Sequence, residues 1–294
     1  MPSFLSGIVD PMYIIAALII AISLLVFHCL ALEVTGIIYS FFIRTWATVL
    51  VSENSNHGDI IVTQTRIGQR ILLINDGVIH SIHGGRDGAP EGYCHSGSGV
   101  ADVLLHRRIV PDAARVTLIG LGGGAMLFYA RKGQQWLCYE INPSVIKFAT
   151  NRDVFTFVTS CPARPMIFCA DGFSAINQLG EQDVIVVDTF FGDHNVGSPE
   201  ILEGLINGSG TNTIFVLHVS GLSDKDISTI AKFGGSRGFT SIIKETPIRD
   251  KRLGRCALND FRHPFYMPSK WMVMSRDYRN IADLFLHPGW EALA

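Results

Sequence analysis

Residues 116–126 read VTLIGLGGGAM, and this stretch decides the fold. Val116, Leu118 and Ile119 form an apolar run suited to a strand buried on both faces, which then breaks into Gly120, Gly122, Gly123 and Gly124. Four glycines in five positions let the backbone turn tightly and approach a ligand. Residues 125–131 then read as a helix whose N-terminus faces that ligand. The pattern is that of a nucleotide-type cradle. Gly120, Gly122 and Ala125 also fit the dinucleotide spacing G-x-G-x-x-G/A, and a purely structural turn is the plain alternative.

The chain after the cradle strengthens the first reading. Residues 136–141 (WLCYEI) form a second strand ending in Glu140, where nucleotide-binding α/β folds place the acid that takes the ribose hydroxyls. A helix follows over 144–151. A third strand over 165–170 runs into Asp171 and Gly172, a helix spans 173–179, and a fourth strand over 183–187 ends in Asp188. Strands alternating with helices, with acids at three successive strand ends, describe a doubly wound parallel sheet whose ligand lies across the strand tips. A fifth strand (213–218), a helix (224–233) and closing strands at 241–246 and 271–275 complete it.

Ahead of the cradle the character changes. Residues 11–32 carry no charged side chain and have about the length that a bilayer-spanning helix needs. A second apolar run, 34–43, either lengthens that helix, lies in the interface or packs on a partner. Asp10 precedes the span while Arg44, Arg66 and Arg70 follow it, so the positive-inside rule puts the remainder on the cytoplasmic side of a single-pass membrane protein. Residues 52–58 (SENSNHG) read as a polar linker, and 60–65, 70–74 and 78–82 as strands, the last two joined by an Asp76-Gly77 hairpin turn. The glycine-rich stretch 83–98 reads as a loop over the mouth of the main sheet, and 100–107 as a helix. The expected organisation is an anchor (1–51), a small β-domain with its loop (52–98) and a nucleoside-binding α/β domain (99–294).

With 294 residues, a formal net charge of −2 and 48% hydrophobic content, the chain can bury a full core and lacks the basic surface that holds nucleic acid. Six cysteines without a C-x-x-C pair read as buried free thiols, and no metal site is expected. His83, His95, His106, His194, His218 and His263 show no ligand-like spacing and read as loop or core hydrogen-bonders, with His194 beside Asp193 the one placed to touch substrate. Tyr266, Trp271 and Trp290 read as core or surface-cover aromatics.

The order GLGGGA, YEIN, CADG, DVIVVDTFFGD, preceded by LLINDGVIHS, resembles the spermidine synthase-like proteins, in particular their membrane-attached branch. The resemblance covers residues 57–278. It implies a Rossmann-like class I methyltransferase sheet behind a small antiparallel β-domain, here following an N-terminal transmembrane helix. It also implies that Gly120, Gly122, Gly123, Gly124 and Gly172 contact a sulfonium nucleoside, that Glu140 holds its ribose and that Asp171 bonds the adenine amine. Asp193 or Asp188 would lie nearest the reacting carbon, with Tyr93, His80 and His194 facing the amine. Departures stand beside the matches. Ala125 replaces the acid that follows the glycine triplet, His80 stands where a substrate-contacting Gln is expected, and the longer Asp188 to Asp193 segment replaces a compact D-S-S-D loop.

In aminopropyl transfer an amine attacks the carbon beside the sulfonium of decarboxylated S-adenosylmethionine. The amine arrives as an ammonium with a pKa near ~10, so a carboxylate must bind it and take its proton, with Asp193 the first candidate and Asp188 the second. The competing account makes Asp188 a loop-orienting acid and Asp193 a solvated one. Other readings are a non-catalytic accessory subunit of a membrane complex, a methyltransferase using intact S-adenosylmethionine, for which Ala125 leaves room, and a nicotinamide oxidoreductase. The last gives the acids of the third and fourth strands no role. Expected partners are a small-molecule amine, membrane lipid, and either other membrane-protein subunits or a second copy in a homodimer.

Overall fold

The computed structural model describes residues 47–75, 78–85, 88–176, 180–189, 198–246, 249–250, 255–256 and 266–293. The expected span 11–32, the apolar run 34–43, the Asp76-Gly77 turn, Asp193 and His194 lie outside them. Among the described residues no helix is long and apolar enough to cross a membrane.

Two sheets organise the chain. The smaller is an antiparallel meander of β1 (Thr48–Ser55), β2 (Gly58–Gln64), β3 (Arg70–Ile74) and β4 (Val78–His83). Residues 52–58, expected as a linker, instead form the end of β1 and the turn into β2, so the boundary expected at residue 51 falls inside a strand. They read as a linker because β1 is an edge strand: Ser52 and Asn54 face solvent, while the backbone pairs with Ile61 and Asp59 of β2.

The larger sheet has eight strands in the order β14-β10-β13-β9-β8-β5-β6-β7. They are β5 (Arg115–Ile119), β6 (Gln135–Glu140), β7 (Met166–Cys169), β8 (Val184–Val187), β9 (Ile214–His218), β10 (Thr240–Thr246), β13 (Ser269–Ser275) and β14 (Trp290–Leu293). Two-residue strands β11 (Arg249–Asp250) and β12 (Arg255–Cys256) pair only with each other. Strands β5 to β9 run parallel, whereas β13 inserts antiparallel between β9 and β10, and β14 pairs antiparallel with β10. The sheet is therefore mixed rather than wholly parallel. Its order reverses between β5 and β8, the crevice where open α/β sheets bind ligands.

Helices α1 (Gly99–Leu105), α2 (Pro143–Ala149), α3 (Gly172–Ala175), α4 (Pro199–Asn207) and α5 (Asp224–Ser236) connect the strands. The sequence reading passed over α4, although its signals are local: the Ser198 side chain caps it, Pro199 opens it, and Leu202, Leu205 and Ile206 make its buried stripe. The helix expected at 125–131 is a 3-10 helix over Ala125–Tyr129. Ala125, Met126, Leu127 and Tyr129 are all buried within little more than one turn, and the chain becomes extended at Ala130. Such a short element has no developed macrodipole, so the cradle owes its chemistry to side chains and loop amides.

Burial explains the unbroken apolar run of β8. Val184 and Val186 enter the core shared with Val116, Leu118 and Trp271, while Ile185 and Val187 enter a second core with Phe215, Leu217 and Met272. All four side chains are fully buried, each contributing roughly 1.5–3 kcal/mol of transfer free energy. The first core also takes Ile60, Val62, Leu72 and Ile74 from the small sheet, so the two sheets share one interior.

A buried ion pair locks the far end of the sheet. Lys244 Nζ on β10 donates to Asp102 Oδ2 on α1 at 2.7 Å, and Trp290 Nε1 donates to the same oxygen at 2.9 Å. Asp102→Ala should lower the unfolding free energy by about 3–5 kcal/mol in denaturant titration, because it strands the Lys244 ammonium, whereas Asp102→Leu combined with Lys244→Met should recover most of the loss.

Candidate functional site

Each parallel strand delivers its C-terminal residue to one rim. Gly120 leaves β5 with φ +89°, and a Cβ there would lie 2.1 Å from the carbonyl oxygen of Asp188 at the tip of β8. Only a residue without a side chain lets the two strand tips meet so closely. Gly123 serves a different surface. Its N–H donates to Ser81 Oγ of β4 at 2.8 Å, and an added Cβ would press on Ser81 Cβ at 2.8 Å. At these two positions the close approach expected toward a ligand is toward protein: the loop is pinned between β8 and the small sheet.

Glu140, at the tip of β6, faces that loop. Its Oε2 accepts from the amides of Leu121 (3.1 Å) and Gly122 (3.4 Å), and its Oε1 from the amide of Asn142 (3.0 Å). Burial raises its carboxyl above the usual carboxylate range, opposed by those amide donors. Each carboxylate oxygen can accept more than one hydrogen bond, so the group retains capacity for ligand hydroxyls. At the tip of β7, Asp171 caps α3, its oxygens accepting from the amides of Phe173 (3.1 Å) and Ser174 (3.3 Å) and from the Ser174 hydroxyl. Gly172 packs against Ile119 and Tyr139, where a Cβ would meet Ile119 Cγ2 at 2.8 Å.

Asp188 gathers the remaining groups. Its Oδ1 lies 2.8 Å from His218 Nδ1, and its Oδ2 accepts from the Tyr93 hydroxyl at 3.1 Å. That hydroxyl also donates to the His80 carbonyl at 2.7 Å. The His218 ring stacks between Tyr93 (centroids 4.7 Å apart) and Trp271 (4.4 Å), and its Nε2 lies 2.6 Å from Ser220 Oγ. Burial, with the charge of Asp188 next, holds the Tyr93 phenol far above its ordinary value. Burial also pushes the His80 imidazole down to about 4, against the opposing pull of Asp188.

The structure thus joins Gly120 to Gly124, Glu140, Asp188, Tyr93 and His80, and sets Asp171 and Gly172 on the neighbouring strand end. The loop over 83–98 contributes Tyr93 from a buried position. Sequence reasoning missed His218 as a site residue; Trp271 is core, as read, and its ring also stacks on His218. Both stand on strands, β9 and β13, whose pairing brings Trp271 directly beside His218. His218 does end its strand, as Glu140 ends β6 and as Asp188 directly follows β8, and that position was the available signal.

No protein-family model matches the chain, and no curated protein matches it in sequence. Solved structures do share its fold. The spermidine synthase of Thermotoga maritima superposes with a TM-score of 0.58 at 16% identity, covering 80% of this chain and 75% of its own. A spermidine synthase in complex with the transition state analogue AdoDATO gives 0.53 at 16% identity, over 80% and 74%. A probable spermidine synthase from Corynebacterium glutamicum ATCC 13032 gives 0.53 at 13% identity, over 84% and 90%. The chain has the spermidine synthase-like, class I methyltransferase-type fold that the motif order implied.

Two outcomes follow from the site geometry. Gly120→Ala forces a Cβ into the Asp188 carbonyl at a left-handed φ, and should cost more than about 1 kcal/mol by thermal unfolding while weakening any ligand that spans β5 and β8. His80 binds its proton near pH 4 when folded and near 6.5 when unfolded, so the unfolded state holds the extra proton between those values. Stability should therefore fall by up to about 3 kcal/mol as pH drops through that window, and His80→Gln should flatten the fall in pH-dependent denaturation.

Proposed function

We propose that the chain binds a sulfonium nucleoside of the S-adenosylmethionine type across the tips of β5 to β8 and transfers its aminopropyl group to an amine. The observation that carries this reading is the carboxylate of Asp188, set against the glycine loop and bonded to Tyr93. Glu140 takes the ribose hydroxyls, and Asp171 takes the adenine amine while continuing to cap α3. The amine lone pair forms the new C–N bond as the C–S bond breaks, and the sulfonium leaves as the neutral thioether methylthioadenosine. Asp188 first takes a proton from the bound ammonium, which frees that lone pair, and the alkylated product leaves as an ammonium. This gives the base role to Asp188, the second candidate of the sequence, with Asp193, the first, as its alternative, while residues 11–32 anchor the chain in a membrane and the described part lies on the cytoplasmic side. The likeness in fold to spermidine synthases, one of them holding AdoDATO, supports the choice of nucleoside.

A second reading, an accessory subunit that keeps the fold without the reaction, is favoured by one observation. The Asp188 side chain is only 9% exposed, and both its oxygens already have side-chain partners. Calorimetric titration of the full chain with S-adenosylmethionine, its decarboxylated form and methylthioadenosine separates the two. Under the transfer reading the decarboxylated ligand binds tightest. Glu140→Ala should weaken it at least about tenfold, since a buried charge-assisted hydrogen bond is worth about 1.5–3 kcal/mol. Asp171→Asn, which retains a capping side chain, should weaken it less, and Asp188→Asn should leave binding intact while slowing transfer about 10²- to 10⁴-fold. A folded wild type that binds none of the three supports the accessory reading.

A further inference from the structure

Hydrogen accounting around Asp188 shows which neighbour holds it. Ser220 Oγ accepts from the Lys270 amide at 2.9 Å. The Asp188 carboxylate can only accept, so its 2.8 Å contact through Oδ1 puts a ring proton on His218 Nδ1, and in a singly protonated ring Nε2 is then the acceptor for the Ser220 O–H, 2.6 Å away. Donors therefore run in one direction, from Lys270 through Ser220 and His218, and end on the carboxylate. Tyr93 has a single hydroxyl proton, and of its two acceptors the His80 carbonyl is nearer than Asp188 (2.7 Å against 3.1 Å). Between these two side chains, His218 is the one that commits a whole hydrogen bond to Asp188.

Packing makes that commitment rigid. The His218 side chain is 2% exposed, its ring lies within 18° of parallel to Trp271 and within 15° of parallel to Tyr93, and β9 pairs with β13 directly at His218 and Trp271. Rotation of the imidazole would break both stacks and both hydrogen bonds at once. A histidine that merely filled this space would be replaceable by phenylalanine, which matches its shape and stacking but has no N–H.

We propose that His218 is the positioning residue for Asp188: as the Nδ1–H tautomer, clamped between Tyr93 and Trp271, it fixes the carboxylate in the orientation that receives the donor amine. Because Asp188 is the accepting end of the donor chain, its remaining lone pairs select a ligand that donates, which is an ammonium or an amine N–H. This rests on the transfer reading for its chemistry, while the tautomer and the clamp stand independently of it.

The test uses the full chain and three variants. His218→Phe keeps the aromatic slab and removes the donor. His218→Asn places an amide N–H near the Nδ1 position and removes the slab, and His218→Ala removes both. His218→Phe should reduce kcat for transfer from decarboxylated S-adenosylmethionine to an amine by about tenfold to a hundredfold, with the calorimetric nucleoside affinity unchanged. His218→Asn should recover most of that loss despite a lower Tm, which a purely structural role would not produce. Independently of turnover, nitrogen-15 NMR of the wild type should show His218 as the Nδ1–H tautomer, with a downfield imidazole proton that disappears in Asp188→Ala. Wild-type turnover by His218→Phe, or an Nε2–H tautomer in the wild type, overturns the proposal. An Nδ1–H tautomer and an Asp188-dependent proton in a chain that transfers nothing uphold the positioning geometry and reject the transfer reading.

Discussion

The mouth of the molecule depends on one steric fact, the contact of the Gly120 backbone with the carbonyl of Asp188. With any side chain at residue 120, the tips of β5 and β8 would have to part, since a Cβ would sit 2.1 Å from that oxygen. Because they meet, the glycine loop leaves the sheet at the point where strand order reverses. Glu140 stands on one side of it and Asp188 on the other. The amides of Leu121 and Gly122 are then satisfied by a carboxylate of the chain itself, the position that a pyrophosphate would otherwise need.

The small sheet acts as a wall of this site as well as a separate layer. Ser81 accepts from Gly123, the His80 carbonyl accepts from Tyr93, and the inner face of the sheet enters the main core. A side chain and a carbonyl of β4 thus hold, respectively, the loop and the phenol that reaches Asp188. Burying so many polar groups is costly unless each finds a partner. The chain from the Lys270 amide through Ser220 and His218 to Asp188 answers that cost with directional hydrogen bonds across three strand ends.

What was legible in the sequence shares a physical origin. Glu140, Asp171 and Asp188 each follow an apolar strand within a few residues, and the glycine run interrupts another, so local periodicity exposes them. The α4 cap and stripe were equally local. Residues 52–58 misled because an edge strand with one solvated side has the composition of a linker. The run after Gly124 misled because burial of nearly every side chain in one turn favours a 3-10 helix over the amphipathic α-helix that its composition suggests.

By itself the sequence determined an α/β chain with a glycine-lined switch point, acids on successive strand ends and an antiparallel meander ahead of them, since each is written in residues close along the chain. The tertiary structure alone decided which groups surround Asp188. Tyr93 lies 95 residues from it and His218 lies 30, and no local pattern links them. Only the antiparallel insertion of β13 beside β9, and the docking of β4 on the glycine loop, bring Trp271, His218, Tyr93 and His80 around one carboxylate. Contacts of that kind are set by which strands pair and which faces share a core, and a linear pattern does not encode either.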